Sequence, residues 1–327
     1  MMRSMVSVLL LSLAVNGAGG AGCETRQSRN QGAQEVKTQG NNSVPAPAAA
    51  TPTPETATNE AASDGLKVLM EGSQSGVADA FVAVARDAET YAALRERLGR
   101  LPELSADSFR TSVVVAAFLG RRTTGGYSVQ ITGGKEGSIR LSESQPPKGA
   151  IVTQALTTPF KVVSVPVSDK QPLSLEMEGE WKSMTRPFSV TAGTFTVTGG
   201  FAGTTENFRL EGGIGILREG KLATLAFDLK AASGTKARVL KDVATGVLQP
   251  DGSLAITHMA AGQLVSLPPG ALRADGKLID GESKLTLAFE SLPSNVDDGY
   301  HGKGRLEAAA SAAPPQKRKP LSEDHPV

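Results

Sequence analysis

The sequence predicts two folded domains: a small α+β domain with one main helix and an antiparallel sheet, followed by an all-β antiparallel barrel or sandwich. Three observations lead there. Apolar and polar residues alternate through most of residues 111–306, the period of strands with one buried face. One stretch breaks that rule, with Tyr91, Leu94 and Leu98 at helical spacing. Glycine supplies 36 of 327 residues and falls largely between the alternating runs, where turns are needed.

The first domain is placed at residues 65–170. It opens with LKVLM (66–70) and FVAVA (81–85). Asp87 can cap the helix that follows, Glu89 sits in its first turn where the helix dipole favours a negative charge, and Pro102 marks the exit. Strands are then expected in TSVVVAAFL (111–119), YSVQI (127–131), SIRLSE (138–143), IVTQAL (151–156) and FKVVSVPV (160–167). Pro166 ends the last of these or puts it at a sheet edge.

The second domain is placed at residues 171–308. Its strands are expected in LSLEMEG (173–179), FSVTAGTFTVTG (188–199), ENFRLEG (206–212), KLATLAFDLKA (221–231), KARVLK (236–241), GSLAITHMA (252–260) and SKLTLAFES (283–291). Leu225, Phe227 and Leu229 share one face, as do Leu285, Leu287 and Phe289. A degenerate repeat runs through GILREGKL (215–222), GVLQPDGSL (246–254) and GALRADGKL (270–278), and each copy is expected to turn a hairpin.

The two ends read differently. Arg3 and the apolar run Met5–Val15, followed by small residues, form a signal peptide over residues 1–22. Gly20-Ala21-Gly22-Cys23 resembles a bacterial lipobox, with Gly20 where leucine is usual, so Cys23 is the expected lipidation site. Residues 23–64 then form a Pro/Ala/Thr-rich tether, and residues 309–327 a charged tail with Lys317-Arg318-Lys319. These features place the protein in the cell envelope, membrane-anchored on the extracytoplasmic side, or secreted if Cys23 is not acylated.

Composition removes several functions. Lys and Arg number 34 against 33 Asp and Glu, which argues against a nucleic-acid binder. One cysteine and three scattered histidines, His258, His301 and His325, exclude a disulfide framework and a thiolate or histidine-rich metal site. No GxSxG, HExxH or phosphate-loop pattern occurs, so neither catalytic residues nor a cofactor are expected. Asp297-Asp298-Gly299-Tyr300-His301 reads as a polar turn and His258 as a strand residue. Glu176, Glu178 and Glu180 read as the solvated face of one strand, and Trp181 with Met184 and Arg186 as core or a contact patch.

The richest motif lies in the first domain. Phe118-Leu119-Gly120, Thr124-Gly125-Gly126-Tyr127-Ser128-Val129, Pro146-Pro147-Lys148-Gly149, Thr153, Pro159-Phe160 and Val165-Pro166 follow one another at defined spacing. This run, with the helix before it, resembles the PrcB C-terminal domain family over about residues 85–167. The family is named for a subunit of a bacterial subtilisin-like protease complex. Thr123 stands where relatives have proline, and Val167 where a lysine is common. The resemblance implies a protein partner, a serine protease among the candidates. On the residues alone, Thr124, Gly125, Gly126 and Tyr127 form either a tight turn or a backbone-rich contact loop, with Pro147 and Gly149 in a second turn. The leading expectation is an envelope scaffolding or protein-binding protein; the alternative is a lipid or small-molecule carrier that uses the second β domain.

Overall fold

The computed structural model describes residues 65–133, 137–167, 171–199, 204–260, 271–279, 282–292 and 301–311, all of them in one compact unit. The signal peptide, Cys23, the tether, His325 and the residues of the tail beyond Ser311 lie outside the described residues, as do Asp297–Tyr300.

The N-terminal half holds two sheets and the main helix. Strands β1 (Lys67–Gly72), β2 (Phe81–Ala85), β3 (Ser112–Phe118) and β6 (Phe160–Pro166) form an antiparallel sheet in the order β1-β6-β3-β2. Strands β4 (Ser128–Gly133), β5 (Ser138–Ser144) and β7 (Ser174–Met177) form a second sheet, β4-β5-β7, whose last pair is parallel. Helix α1 (Ala88–Leu98) starts as its residues dictate. Asp87 accepts a hydrogen bond from Thr90 N at 2.8 Å, and Tyr91 and Leu94 are buried. The Tyr91 hydroxyl donates to Pro102 O at 2.7 Å, which fixes the chain as it leaves the helix.

The C-terminal half closes into a barrel of eight antiparallel strands, each paired with its neighbours in sequence. They are β8 (Arg186–Gly199), β9 (Thr204–Glu219), β10 (Leu222–Ser233), β11 (Lys236–Leu248), β12 (Ser253–Ala260), β13 (Ala271–Ile279), β14 (Lys284–Ser291) and β15 (His301–Ala310). Strand β15 returns to pair with β8, from His301 opposite Thr198 to Ala310 opposite Phe188. The sequence left barrel or sandwich open; the structure is a barrel.

Alternation sorts the barrel's side chains. Leu225, Leu240, Ile256, Met259, Leu272 and Leu285 have no exposed surface, so no water-sized space lies against them. Five phenylalanines, Phe188, Phe195, Phe208, Phe227 and Phe289, join the same interior. Outward positions carry charge: Arg273, Asp275 and Lys277 on β13, Glu290 on β14, and Lys303, Arg305 and Glu307 on β15 are exposed. A lipid-facing wall carries an apolar band instead, so this described surface is built to face water.

Two of the three repeat copies turn hairpins, through Gly220-Lys221 and through Asp251-Gly252. The third does not. Asp275-Gly276 lies in mid-strand, with Gly276 opposite Leu254 on one side and Leu287 on the other. A Cβ at Gly276 would meet Leu287 Cδ2 at 2.5 Å, so this glycine makes room for a core leucine rather than for a turn. The run IVTQAL also departs from expectation: residues 151–156 form an irregular connection after Pro146-Pro147, not a strand.

The two halves share a core. Leu217, Leu222 and Val243 on the barrel's outer wall cluster with the buried residues of the first sheet. Strand β2 is an edge strand, yet all five of its residues have 0 % exposure. Its outer edge is satisfied by side chains of the barrel. Val84 N donates to Thr245 Oγ1 at 2.7 Å, and Thr224 Oγ1 donates to Val82 O at 2.6 Å. The two hydroxyls lie 2.7 Å apart. Thr224 has one proton and gives it to Val82, so Thr245 must donate to Thr224, and the chain of bonds runs one way. Beside it, Arg86 donates to Asp242 Oδ1 at 2.7 Å, and both side chains are essentially inaccessible. Asp242 Oδ1 also accepts from Leu173 N at 2.9 Å, and Arg86 reaches Gln171 O and Val243 O.

Removing one member of a buried ion pair strands the other. Asp242→Ala is therefore expected to cost about 3–5 kcal/mol in unfolding free energy, read by urea denaturation. A loss below about 1 kcal/mol would show that Arg86 reaches water in the variant and that the join is not rigid.

Candidate functional site: the Thr124–Tyr127 loop and the 145–157 connection

Of the site residues expected from the sequence, Thr124, Gly125, Gly126 and Tyr127 lie in a loop that runs along the connection carrying Pro147 and Gly149. The chain leaves β3, passes through residues 119–127 and enters β4; after β5, residues 145–159 return past it to β6. The two segments are stitched by backbone bonds. Arg122 N donates to Thr157 O at 2.8 Å, Thr157 N to Arg122 O at 2.9 Å, and Gly125 N to Thr153 O at 2.9 Å. The Thr157 hydroxyl donates to Thr124 O at 3.0 Å. Lys148 sits in a turn closed by Ala150 N donating to Pro147 O at 3.0 Å, and Pro147 and Gly149 of this turn follow Pro146, which lies against Gly126.

Glycine is required here by contact as well as by conformation. Gly126 has φ +86°, and a Cβ on it would lie 2.9 Å from Pro146 Cβ and 3.2 Å from Val152 Cγ1. A Cβ on Gly125 would collide with the Thr153 hydroxyl. The tight-turn and contact-loop readings of this motif are thus compatible: the glycines let two segments touch while Gly126 itself stays exposed. Tyr127 is half-buried and packs against the core.

Beneath the loop lies a residue that the sequence reading did not single out. Arg122 is 8 % exposed and binds Glu143 through two bonds, Nε to Oε1 at 3.1 Å and Nη2 to Oε2 at 3.0 Å. Its Nη1 reaches Glu180 Oε2 at 3.1 Å and Leu119 O at 2.9 Å. The guanidinium carbon is 5.6 Å from the centre of the Tyr127 ring. Burial alone would depress this group's pKa, but the hydrogen bonds it donates to Glu143 and the charge of Glu180 outweigh burial and raise it. Arg122 thus ties the loop to β5 and to the short helix α2 (Glu180–Met184). Two adjacent arginines just before the glycine motif are the signal in the sequence, but nothing local tells which of them turns inward.

Exposure singles out two more residues in the 145–157 connection. Ile151 is 104 % exposed and Leu156 60 %. In the sequence they looked like strand core, because their spacing with Val152 and Ala155 mimics an apolar run.

Other candidates fall elsewhere. Glu176, Glu178 and Glu180 do not share a strand face, because β7 ends at Met177 and α2 begins at Glu180. Glu176 pairs with Arg140, Glu178 is exposed, and Glu180 holds Arg122. Trp181 is core, 1 % exposed, with Nε1 donating to Phe118 O at 2.8 Å and Phe81 O at 3.2 Å. Arg186 lies over the Phe188 ring and pairs with Glu282. His301 is exposed at the start of β15, and His258 lies in β12. Among the described residues no group of acidic, histidine or cysteine side chains has metal-binding geometry.

Two measurements follow from this geometry. Gly126→Val must strain its backbone and press on Pro146, and is expected to cost about 1–3 kcal/mol in a urea titration while leaving the barrel's hydrogen-exchange protection unchanged. The hydrogen bonds from Arg140, its charge, and the Ser138 hydroxyl together hold the Glu176 carboxyl below its ordinary value. A depressed carboxylate stabilises above its unfolded pKa, and that contribution fades as pH falls through the folded one. In Arg140→Gln the Glu176 titration, followed by carbon NMR, is expected to move up; an unmoved midpoint would refute the pairing.

Among known proteins, no curated sequence matches this chain. A crystal structure named "putative outer membrane protein", from Bacteroides fragilis, aligns with 11 % identity over 60 % of this chain and 84 % of its own, at a TM-score of 0.23. A score this low establishes no shared fold. Residues 113–166, from β3 to the end of β6 and including both the Thr124–Tyr127 loop and the 145–157 connection, match the model of the PrcB C-terminal family.

Proposed function

We propose that this chain is a protein-binding or scaffolding protein of the cell envelope, with its contact surface on the Thr124–Tyr127 loop and the 145–157 connection. One observation carries this reading. Four large apolar side chains are exposed among the described residues, and two of them, Ile151 and Leu156, lie in this one connection. Exposed apolar residues scattered singly need no explanation, whereas a pair on a rigidly held loop marks a contact site. The held geometry matters as well: Arg122 and the Gly125–Thr153 bond fix the loop before any partner arrives, which lowers the entropy cost of binding.

The matched family supplies the class of partner: its name comes from a subunit of a protease complex, so a secreted serine protease heads the candidates. Among the described residues the inward side chains of the barrel are closely packed, which favours a scaffold. A carrier of lipid or another small molecule would need open space against Leu225, Leu240 and Leu285, and these are fully enclosed. Cys23, acylated, would anchor the chain, with residues 24–64 as the spacer that lifts the folded part from the bilayer.

Photo-crosslinking in intact envelopes tests the surface. A photoreactive residue at position 151 is expected to give a discrete adduct with another protein, and one at Arg273 on the barrel wall is not. Equal patterns at both positions would remove the assignment. Cys23→Ala is expected to shift the protein from the membrane pellet to the soluble fraction; unchanged pelleting would remove the anchor.

A further inference from the structure

Resting on that reading of the surface, we infer that its ligand is an acidic polypeptide segment bearing apolar side chains. The two facing segments, residues 119–128 and 145–159, contain Arg121, Arg122 and Lys148 and not one carboxylate. Arg122 is consumed internally by Glu143 and Glu180. Arg121 and Lys148 are exposed, and among the described residues neither side chain has an ionic partner. Arg121 precedes the antiparallel Arg122–Thr157 bridge, which sets Thr123 rather than Arg121 opposite Leu156, and Lys148 sits in the turn just before Ile151. Both cations thus belong to the same two segments as the exposed apolar side chains of Ile151 and Leu156.

The backbone between them adds donors. Among the described residues, the N–H groups from Ile151 to Ala155 have no protein partner, while Thr153 O and Leu156 O are taken by Gly125 N and Gln74 Nε2. Among the described residues the carbonyls of Ile151, Val152, Gln154 and Ala155 are unengaged too, so this edge offers donors and acceptors to an extended backbone, while its side-chain charge is positive. It fits carboxylates and main-chain carbonyls, with Ile151 and Leu156 supplying apolar contact. An anionic membrane offers charge and apolar depth too. Inserting this stretch into lipid, however, would strip water from several unpaired N–H groups and from Thr153 and Gln154, which is costly. A polypeptide can bond them instead.

The test uses the full chain in mild detergent and fluorescence anisotropy with three short labelled peptides, built on Glu-Leu-Gly, Ser-Leu-Gly and Lys-Leu-Gly repeats. The Glu peptide is expected to bind most tightly. It should weaken by roughly tenfold or more in Arg121→Glu/Lys148→Glu and at high salt, and also in Ile151→Ser. Because these three positions are exposed, circular dichroism of the variants should match the parent. Equal affinity for the Glu and Ser peptides would overturn the acidic preference and leave the protein-contact surface standing, since the crosslink at position 151 tests that separately. No binding of any peptide would overturn the inference, and so would binding of phosphatidylglycerol vesicles that exceeds the Glu peptide and is lost in the same variants.

Discussion

An edge strand has backbone groups that must bond to something, and in this protein the barrel wall meets that demand for β2. Thr224 and Thr245 take the place of a fifth strand, and their hydroxyl chain has only one proton order that satisfies both Val82 O and Val84 N. Neither hydroxyl could be replaced by an apolar side chain without leaving a buried donor or acceptor bare. The Arg86–Asp242 pair works under the same constraint and also binds the backbone of Gln171 and Leu173, in the segment that leads into β7. The polar groups set the position of the two halves, and the shared apolar cluster of Leu217, Leu222 and Val243 with the first sheet supplies the burial.

From this join a line of contacts leads to the candidate surface. Trp181 Nε1 bonds to both β2 and β3 through Phe81 O and Phe118 O, which fixes α2 across the ends of these strands. Glu180, its neighbour, holds Arg122, and Arg122 sits under Tyr127. The loop is thus anchored to the same strand that the barrel seals. A recognition loop is usually the least ordered part of a domain. Here its position is set by a bidentate ion pair on one side and backbone bonds on the other.

Much of this was legible in the chain. The helix at Tyr91, Leu94 and Leu98, its Asp87 cap and most barrel strands follow from period and capping chemistry alone. Three readings failed for one common reason: a local pattern was overruled by a partner distant in sequence. Asp275-Gly276 has turn chemistry, yet Leu287 needed the space beside it. Ile151–Leu156 has strand composition, but its neighbours after Pro146-Pro147 give it only a narrow bridge to residues 122–125. Glu176 and Glu180 alternate correctly, but each is claimed by an arginine from another segment. Arg86, Asp242, Thr224 and Thr245 were invisible for the same reason, since single polar residues on strands read as solvent-facing unless their partners are known.

The hydrogen bond from Val84 to Thr245 joins residues 161 positions apart, and the barrel closes only when β15, the last strand, finds β8. Chains are made from the N-terminus, so the first sheet is complete while its sealing strands are still to come. Until β10 and β11 form, β2 presents a bare, wholly apolar edge, the arrangement that natural sheets guard against most strictly. Long-range closure of this kind is slow. The hazard of this architecture is therefore one of timing: its most protected strand in the finished molecule is the most aggregation-prone one on the way there.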